Sequence, residues 1–263
     1  MPELPEVEAV CRKLGRTAQG GVIASSHIVR KRITAPQEPE EVEAQAVGRR
    51  IERIERRGKN IFLHLAGGLA IHVHLRMTGN LEVIHDARFR PHSTSAWFEF
   101  DDGRALLFAD SRGLGTLRLI GELPEFGIEP LSRGFTNSAF ARLAGESRAP
   151  VKLFLMDQSK IAGIGNIYAV EALWRAGISP FRPSHRLSAA RLSKLRNGLV
   201  AVLREGVKSA VLAYAKPGGF NEAEQFPLNV YDREGESCFR CGAKIRRVAQ
   251  GGRSTYYCGR CQR

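Results

Sequence analysis

The chain has 263 residues, of which 43% are hydrophobic and 25% are charged. This composition is that of a globular protein of one or two domains, and it excludes a disordered chain, a collagen-like chain and a small disulfide-stapled scaffold. The 40 Lys and Arg residues exceed the 27 Asp and Glu residues by 13. Such an excess of positive charge favours a polyanionic partner, with nucleic acid as the first candidate and an anionic membrane surface as the second.

The membrane alternative finds little support in the sequence. No run of residues approaches the roughly 20 apolar positions that a membrane-spanning helix needs. The N-terminal segment MPELPEVEAV is acidic and has neither the basic region nor the apolar region of a secretory signal. We therefore expect a cytoplasmic, nucleoid-associated protein that makes no contact with a membrane.

An amphipathic helix is predicted near the N-terminus, over residues 4–16. Leu4, Val7, Cys11 and Leu14 recur at helical spacing and form its apolar stripe. Cys11 lies on this stripe, so we interpret it as a small buried side chain and not as a reactive thiol.

Short β-rich runs follow between residues 22 and 120. The predicted strands are 22–33, 48–56, 60–65, 69–75, 96–100, 104–109 and 116–120. Glycine-containing turns separate several of them, so the pattern predicts an antiparallel β-sandwich or β-barrel. The leading helix and this sandwich make up a predicted domain over residues 1–120.

A linker is predicted over residues 121–135, and the periodicity beyond it is helical. The predicted helices are 136–144, 151–159, 166–176 and 188–213. Residues 215–229 lack periodicity and are predicted to form a loop. The domains that follow the linker are thus a helical domain over 136–229 and a small module over 230–263, which makes the fold class α+β.

Four of the five cysteines form two Cys-x2-Cys pairs: Cys238 with Cys241, and Cys258 with Cys261. Sixteen residues separate the pairs, which is the spacing of a zinc ribbon with four thiolates on one tetrahedral Zn²⁺. The alternatives are two chance pairs or a redox-active Cys-x2-Cys. Because the pairs are matched, we predict one structural zinc ion, which supplies much of the folding free energy of this short module.

The residues between the cysteine pairs predict a β-hairpin with its turn at Gly251 and Gly252. From Cys238 to Arg263 there are seven Lys or Arg residues and no Asp or Glu. Charge of one sign on a zinc-stapled hairpin predicts contact with nucleic-acid phosphates. Arg253 follows the turn directly, so we expect it at the hairpin tip.

A second candidate for phosphate binding is the turn Gly163-Ile164-Gly165 between two predicted helices. The N-terminus of the second helix presents free N–H groups to an anion, and Asn166 is placed both to cap that helix and to contact phosphate. Many helix pairs turn in this way, so ordinary turn chemistry is the alternative.

The N-terminus carries a possible nucleophile. Pro2 follows Met1 directly, so removal of Met1 leaves a secondary amine. An α-amino group has a pKa of about 7.7–8.0, so a fraction of it is neutral at physiological pH and can attack a sugar carbon to form an iminium Schiff base. Glu3 beside it is suited to proton transfer. Because Met-Pro starts are common, this pair alone does not establish an enzyme.

Four segments, together with the zinc module, resemble the formamidopyrimidine-DNA glycosylase/endonuclease VIII family in order and over essentially the whole chain. They are PELPEVE at 2–8, HLRMTG at 74–79, DQSKIAGIGNIYAVEALWRAGISP at 157–180 and GGRST at 251–255. The resemblance implies an N-terminal antiparallel β-sandwich with a leading helix, then a helical domain with a helix-two-turn-helix and a zinc-finger β-hairpin. It implies a monomer that excises oxidised bases from damaged double-stranded DNA and then nicks the backbone by β,δ-elimination.

The resemblance also implies the catalytic residues. Pro2 is then the Schiff-base nucleophile and Glu3 its acid/base partner. Lys59 assists β-elimination and contacts phosphate, while Arg253 belongs to the phosphate clamp and assists δ-elimination. For Lys59 the alternative is solvated surface, because residues 49–59 contain six Lys or Arg.

The same resemblance implies the DNA-binding residues. His74 and Asn166 contact phosphates, and Lys152 approaches the damaged nucleotide. Flipping a base out of the duplex leaves a void. Met77 matches the residue that fills this void, and Arg112 matches the arginine that faces the orphaned base. For Met77 the alternative is a place in the core.

Three features depart from the family pattern. Leu114 occupies the place of the usual aromatic wedge, and leucine supplies apolar bulk without a π-face for stacking. The segment RPHSTSAW is irregular, so His92 is assigned as a DNA contact by its position only. The loop 215–229 also departs from the pattern where the family has its 8-oxoguanine-binding loop.

We therefore predict a bifunctional DNA glycosylase/AP lyase of base excision repair that removes 8-oxoguanine and formamidopyrimidines. One alternative is an oxidised-pyrimidine glycosylase of the endonuclease VIII type. Met77 with Arg112 favours purines, whereas Leu114 and the loop 215–229 weaken that preference. Another alternative is a damaged-DNA-binding protein without catalysis, which accounts for the charge and the hairpin but does not require Pro2 and Glu3.

Overall fold

The structure, a computed structural model, describes residues 2–215 and 226–263. The chain forms two compact units. The first comprises Met1–Pro124 with Ala210–Glu222, and the second comprises Glu125–Ser209 with Ala223–Arg263. Across the described ranges, every helix is too short or too polar to cross a membrane.

The first unit is built from a leading helix and two antiparallel sheets. Its helices and strands are α1 (Leu4–Thr17), β1 (Ile23–Ile28), α2 (Pro39–Ala46), β2 (Ile51–Arg57), β3 (Asn60–Leu65), β4 (Ala70–His74), β5 (Gly79–Ile84), β6 (Thr94–Phe100), β7 (Ala105–Asp110) and β8 (Thr116–Ile120). One four-stranded sheet has the order β1-β6-β7-β5, and the other has the order β2-β3-β4-β8. Apolar side chains from α1, α2 and both sheets meet in one core, as the predicted sandwich requires.

Helix α1 is amphipathic because its apolar residues fall on one face. Leu4, Val7, Cys11 and Leu14 are all buried, as their spacing predicts. Burial raises the pKa of the Cys11 thiol to about 12, so this cysteine is an inert core residue, as predicted. Pro5 lies in the first turn, where its missing N–H costs no helical hydrogen bond.

The strand predictions hold best for β3 and β8, whose observed bounds are the predicted ones. Two elements were not predicted. Strand β5 was missed because it begins with Gly79-Asn80, which are typical turn residues. Glycine is required at position 79 because a Cβ there would lie 2.4 Å from the Leu75 carbonyl oxygen. Helix α2 was missed because it is short and because its Pro- and Glu-rich sequence, which begins at Pro39, is typical of a loop. The prediction for 22–33 was too long, because β1 ends at Ile28.

The second unit combines helices with a two-stranded ribbon. Its elements are α3 (Asn137–Gly145), α4 (Val151–Met156), α5 (Asn166–Ala176), α6 (Ala189–Tyr214, which continues into the first unit's range), β9 (Ile245–Gln250) and β10 (Arg253–Cys258). Helix α5 has the predicted bounds. Helix α4 ends three residues early because the Asp157 side chain accepts hydrogen bonds from the backbone N–H and hydroxyl of Ser159, which favours a turn.

Strands β9 and β10 form the predicted antiparallel hairpin. Gly251 and Gly252 make its turn with φ angles of 58° and 73°, a conformation that glycine adopts without strain. The ribbon packs on α5 through an apolar cluster that includes Val170, Trp174 and Ile245. The zinc module is therefore part of the second unit's core and shares it with α5.

Candidate functional site

In the first unit, the residues at the N-terminus directly precede helix α1, whose N-cap is Glu3. Pro2 and Glu3 are buried, and Glu3 has 2% of its surface exposed. The Glu3 backbone N–H donates to the Glu6 carboxylate at 2.7 Å, which satisfies a donor that the first turn leaves open. The Arg56 guanidinium donates to Glu8 at 2.7 Å and so fastens α1 to β2. The residue that becomes the N-terminus when Met1 is removed therefore has a rigid support.

Lys59 and His74 lie close together across β3 and β4. Gly58, with a φ of 55°, makes the turn before Lys59, and Asn60 pairs with His74 in the sheet register. Burial, with the charges of Arg76 and Lys59, lowers the pKa of His74 to about 4. His74 is thus neutral at neutral pH. Its Nδ1 accepts the Arg76 backbone N–H at 3.0 Å, which leaves Nε2–H as a donor.

One buried carboxylate joins the loops that carry the predicted DNA-contacting residues. The Asp110 carboxylate accepts a hydrogen bond from the Thr78 hydroxyl, next to Met77, and from the backbone N–H groups of Arg112 at 3.2 Å and Gly115 at 2.7 Å. Burial by itself raises the pKa of the Asp110 carboxyl. The hydrogen bonds that this carboxylate accepts lower the pKa by more than burial raises it, so the pKa lies below its ordinary value. Sequence reasoning missed Asp110, although an acidic residue at a strand end before a Gly-rich turn is the available signal.

The backbone of Asp110 also fixes the segment that contains His92. The Asp110 backbone N–H donates to the carbonyl of Ser93 at 2.8 Å. The structure therefore brings together the loops of Met77, His92 and Arg112. Met77 is 39% exposed, which excludes the core alternative, and His92 and Arg112 are exposed. Leu114, on the same loop as Arg112, is half-buried.

In the second unit, one glutamine closes the turn between α4 and α5. The Gln158 Oε1 accepts the Gly163 backbone N–H at 2.8 Å, and its Nε2 donates to the Ile164 carbonyl at 2.8 Å. Gly163 has a φ of 86°, which explains why glycine stands there. Sequence reasoning placed the turn correctly but did not identify Gln158 as the residue that holds it.

Asn166 and Lys152 meet at the hairpin, beside Arg253. Asn166 Nδ2 donates to the Ser254 carbonyl at 2.9 Å, and Lys152 Nζ donates to the Thr255 hydroxyl at 2.7 Å and to the Ser254 carbonyl at 3.3 Å. Lys152 is fully buried, whereas Arg253 is exposed at the tip. In this structure Lys152 therefore supports the strand that carries Arg253, and a contact of its amine with DNA requires an exchange of these partners.

Most of the remaining predicted contact region, the loop 215–229, lies outside the described residues. Its end is described, and it is anchored by a carboxylate that sequence reasoning missed. Glu171 on α5 is fully buried and accepts the backbone N–H groups of Asn229, Val230 and Tyr231 at 2.8–3.0 Å. An acidic residue within an otherwise apolar helix face is the signal that marks it.

The four ribbon cysteines have the geometry of a metal site. Cys238 and Cys261 sulfurs lie 3.9 Å apart, Cys241 and Cys258 sulfurs lie 3.5 Å apart, and all four lie within 4.8 Å of one another. Zn–S bonds of about 2.3 Å at tetrahedral angles require S···S distances of about 3.8 Å. The donor set therefore fits one structural zinc ion, as predicted.

The chain is similar to solved structures of DNA glycosylases. Two solved structures of the formamidopyrimidine-DNA glycosylase from Lactococcus lactis are similar to it over 99% of both chains. One, bound to DNA with an AP site, has a TM-score of 0.88 and 31% identity. The other, bound to DNA with FAPY-dG, has a TM-score of 0.89 and 30% identity.

Family models and curated relatives agree along the whole chain. Residues 1–117 match the formamidopyrimidine-DNA glycosylase N-terminal domain, 126–214 its H2TH domain, and 235–263 the zinc finger found in FPG and IleRS. The formamidopyrimidine-DNA glycosylases of Chloroflexus aurantiacus and Geobacillus kaustophilus are each 39% identical, over 100% of this chain and 98% and 100% of theirs. The chain belongs to the formamidopyrimidine-DNA glycosylase family.

Proposed function

We propose that this chain is a bifunctional DNA glycosylase/AP lyase of base excision repair that removes oxidised purines. Family membership over the whole chain carries the class of reaction, a DNA glycosylase acting on damaged double-stranded DNA. The buried Pro2–Glu3 pair, held at the start of helix α1, supports the covalent step. We further propose that the protein acts as a monomer at the nucleoid.

The chemistry divides between the two units. The Pro2 nitrogen attacks C1′ of the sugar as the bond to the damaged base breaks, and the nitrogen loses its proton. The bond from C1′ to the ring oxygen then opens, the ring oxygen takes up a proton, and an iminium forms. Glu3 carries protons for this exchange, and Lys59 assists the β-elimination that follows. Residues 1–120 are thus the proposed catalytic domain, 121–135 the linker, 136–229 the helical domain and 230–263 the zinc finger.

The remaining residues position the DNA. The neutral His74 ring donates from its Nε2–H to a phosphate, and Arg253 also donates to a phosphate. Asn166, at the start of α5, has the same role. Met77 fills the void and Arg112 faces the orphaned base, while Leu114 supplies the wedge. His92 and Lys152 complete the proposed contacts. Zinc fixes the hairpin that carries Arg253 and does not activate water, because four thiolates leave no open coordination position.

The covalent step is tested by borohydride trapping on DNA with an abasic site. Protein with Met1 removed should give a covalent adduct, and protein that retains Met1 should give none, because the Pro2 nitrogen is then an amide. DNA affinity should change little. The matched contrast is Arg253→Ala, which should still form the covalent adduct. Its affinity for DNA should fall, and the slope of log K against log salt should flatten by about one unit. Full trapping with Met1 retained would refute the mechanism.

Lesion preference is tested with duplexes that contain 8-oxoguanine, formamidopyrimidine, 5-hydroxyuracil or thymine glycol. We expect excision of the two purine lesions. Excision confined to the pyrimidine lesions would favour the endonuclease VIII type of enzyme. Binding to all four duplexes with neither excision nor trapping would favour a damaged-DNA-binding protein, the alternative that the basic ribbon also fits.

A further inference from the structure

The indole of Trp174 places a buried donor at the zinc ribbon. Trp174 lies in the last turn of α5, is 6% exposed and belongs to the apolar cluster that contains Cys238 and Cys258. Its Nε1–H is buried and has no hydrogen-bond partner within residues 2–215 and 226–263. A buried donor without an acceptor destabilises the fold, because it has lost its hydrogen bond to water. The position therefore calls for an acceptor of another kind.

The sulfur of Cys238 lies in the same buried cluster and is the candidate acceptor for a contact with the indole N–H. As a thiol, sulfur is a large and weak acceptor. A thiolate that binds zinc carries more negative charge than a thiol, and hydrogen bonds to charged acceptors are stronger. The contact therefore strengthens when the metal is bound.

Arg240, within the turn from Cys238 to Cys241, fixes the orientation of the indole. Its guanidinium carbon lies 3.8 Å from the centroid of the Trp174 ring. The same guanidinium donates to the carbonyl of Trp174 at 2.6 Å and to that of Arg175 at 3.2 Å, and so caps the C-terminal end of α5. The turn that carries two of the metal ligands thus packs on the indole that carries the buried donor.

We propose that Trp174 is a positioning residue of the metal site, whose indole N–H donates to the zinc-bound thiolate of Cys238. Four thiolates carry more negative charge than Zn²⁺ neutralises, so a donor to one sulfur stabilises the complex and fixes that ligand. The bond joins the metal to α5, the helix whose first residue is Asn166. This inference concerns the metal site alone and stands whether or not the proposed DNA chemistry is correct.

The test is Trp174→Phe in the full chain, with Co²⁺ in place of zinc as the spectroscopic probe. Phenylalanine keeps an aromatic ring under Arg240 but removes the N–H. Because a hydrogen bond lowers the energy of the sulfur lone pairs, its loss should move the sulfur-to-cobalt charge-transfer band to lower energy. Zinc affinity, measured by competition with a chelator, should fall by about 10- to 100-fold.

Two controls separate the hydrogen bond from packing. Trp97→Phe makes the same change at a tryptophan of the first unit, whose N–H donates to Glu99 at 3.2 Å. Val170→Ala removes apolar packing from the same cluster without removing a donor. Both should leave the charge-transfer energy unchanged. An unchanged band in Trp174→Phe, or an equal shift in Val170→Ala, would overturn the proposal.

A measurement on the unaltered chain covers the case in which Trp174→Phe does not fold. With cadmium as the bound metal, the proposal predicts a scalar coupling between the metal nucleus and the Trp174 indole proton through the sulfur. It also predicts slow exchange of that proton with solvent. Fast exchange without coupling would contradict the hydrogen bond.

Discussion

The first unit and the second unit reach stability by different means. The first unit encloses one apolar core that α1, α2 and both sheets share, so burial of apolar surface stabilises it. The ribbon of the second unit has a small apolar cluster, and it also depends on four cysteines and on the buried carboxylate of Glu171. A large core tolerates the loss of one polar group, whereas a small one depends on each. Single polar substitutions should therefore damage the second unit more.

The largest expected effect is the loss of zinc. Cys258→Ser, or removal of the metal, should unfold residues 230–263 and release Arg253, since structural zinc contributes about 10–16 kcal/mol of apparent binding free energy. Hydrogen exchange should show lost protection in β9 and β10 and retained protection in the sandwich strands.

The matched control for zinc loss is Cys11→Ser, the same change at the buried cysteine of the first unit. It should lower the stability of the sandwich while the protein keeps its zinc. If metal-free protein nicked abasic DNA at the normal rate and affinity, the structural role of zinc would be wrong.

A smaller effect is expected at Glu171. Glu171→Gln replaces one of two accepting oxygens by a donor that faces backbone N–H groups. Breaking this buried network should cost the second unit about 2–4 kcal/mol of unfolding free energy. Faster hydrogen exchange at the amides of Val230 and Tyr231 is the direct measurement.

The control for Glu171 is Glu205→Gln, which breaks an ion pair with Arg175 on the surface of α6. Exposed ion pairs contribute about 0–1 kcal/mol, so the second unit should keep nearly all its stability. Equal losses in the two variants would show that the buried carboxylate has no special role.

The last expected effect is a pH dependence of the stability of the first unit. Burial and the charges of Arg118 and Arg76 lower the pKa of His72 to about 4, as similar causes do for His74. The unfolded chain, with a histidine pKa near about 6.5, binds more protons between these values. The contribution to stability is therefore fully present above about pH 6.5 and is lost as the pH falls towards about 4.

Urea unfolding of the first unit at a series of pH values measures this contribution. His72→Gln should make the decline in stability with falling pH less steep, because it removes one of the two titrating rings. The glutamine side chain can still donate to Asn60, the present partner of His72. His185→Gln, at an exposed site in the second unit, should leave the decline in stability of the first unit unchanged. A decline of equal slope in all three proteins would contradict the assignment.

The sequence predicts regular features well and shared polar contacts poorly. Periodicity located α1, β3 and α5, because their apolar residues recur at the spacing of the element. The matched cysteine pairs predicted the metal site, because the spacing itself encodes the geometry. The proposed catalytic residues came from the family resemblance, and they stay predictions.

Residues that act between distant segments were not visible in the sequence. Asp110 serves loops that lie far apart along the chain, and Glu171 binds a segment about sixty positions away, as its 58- to 60-residue separations show. Lys152 was expected near the DNA but lies buried on β10, because only the fold reveals that Thr255 reaches it. Such partnerships depend on tertiary packing, which local patterns do not contain.

The bonding at Asp110 has a consequence for anyone who would alter the substrate preference of this chain. Because one carboxylate sets the position of the loops of Met77 and Arg112, and its backbone sets that of His92, changes at these positions should not be additive. A substitution that suits one loop shifts the support of the others, so its effect depends on the residues already present there. The three positions therefore form one epistatic unit, and variants with a new lesion preference are to be sought by changing them together.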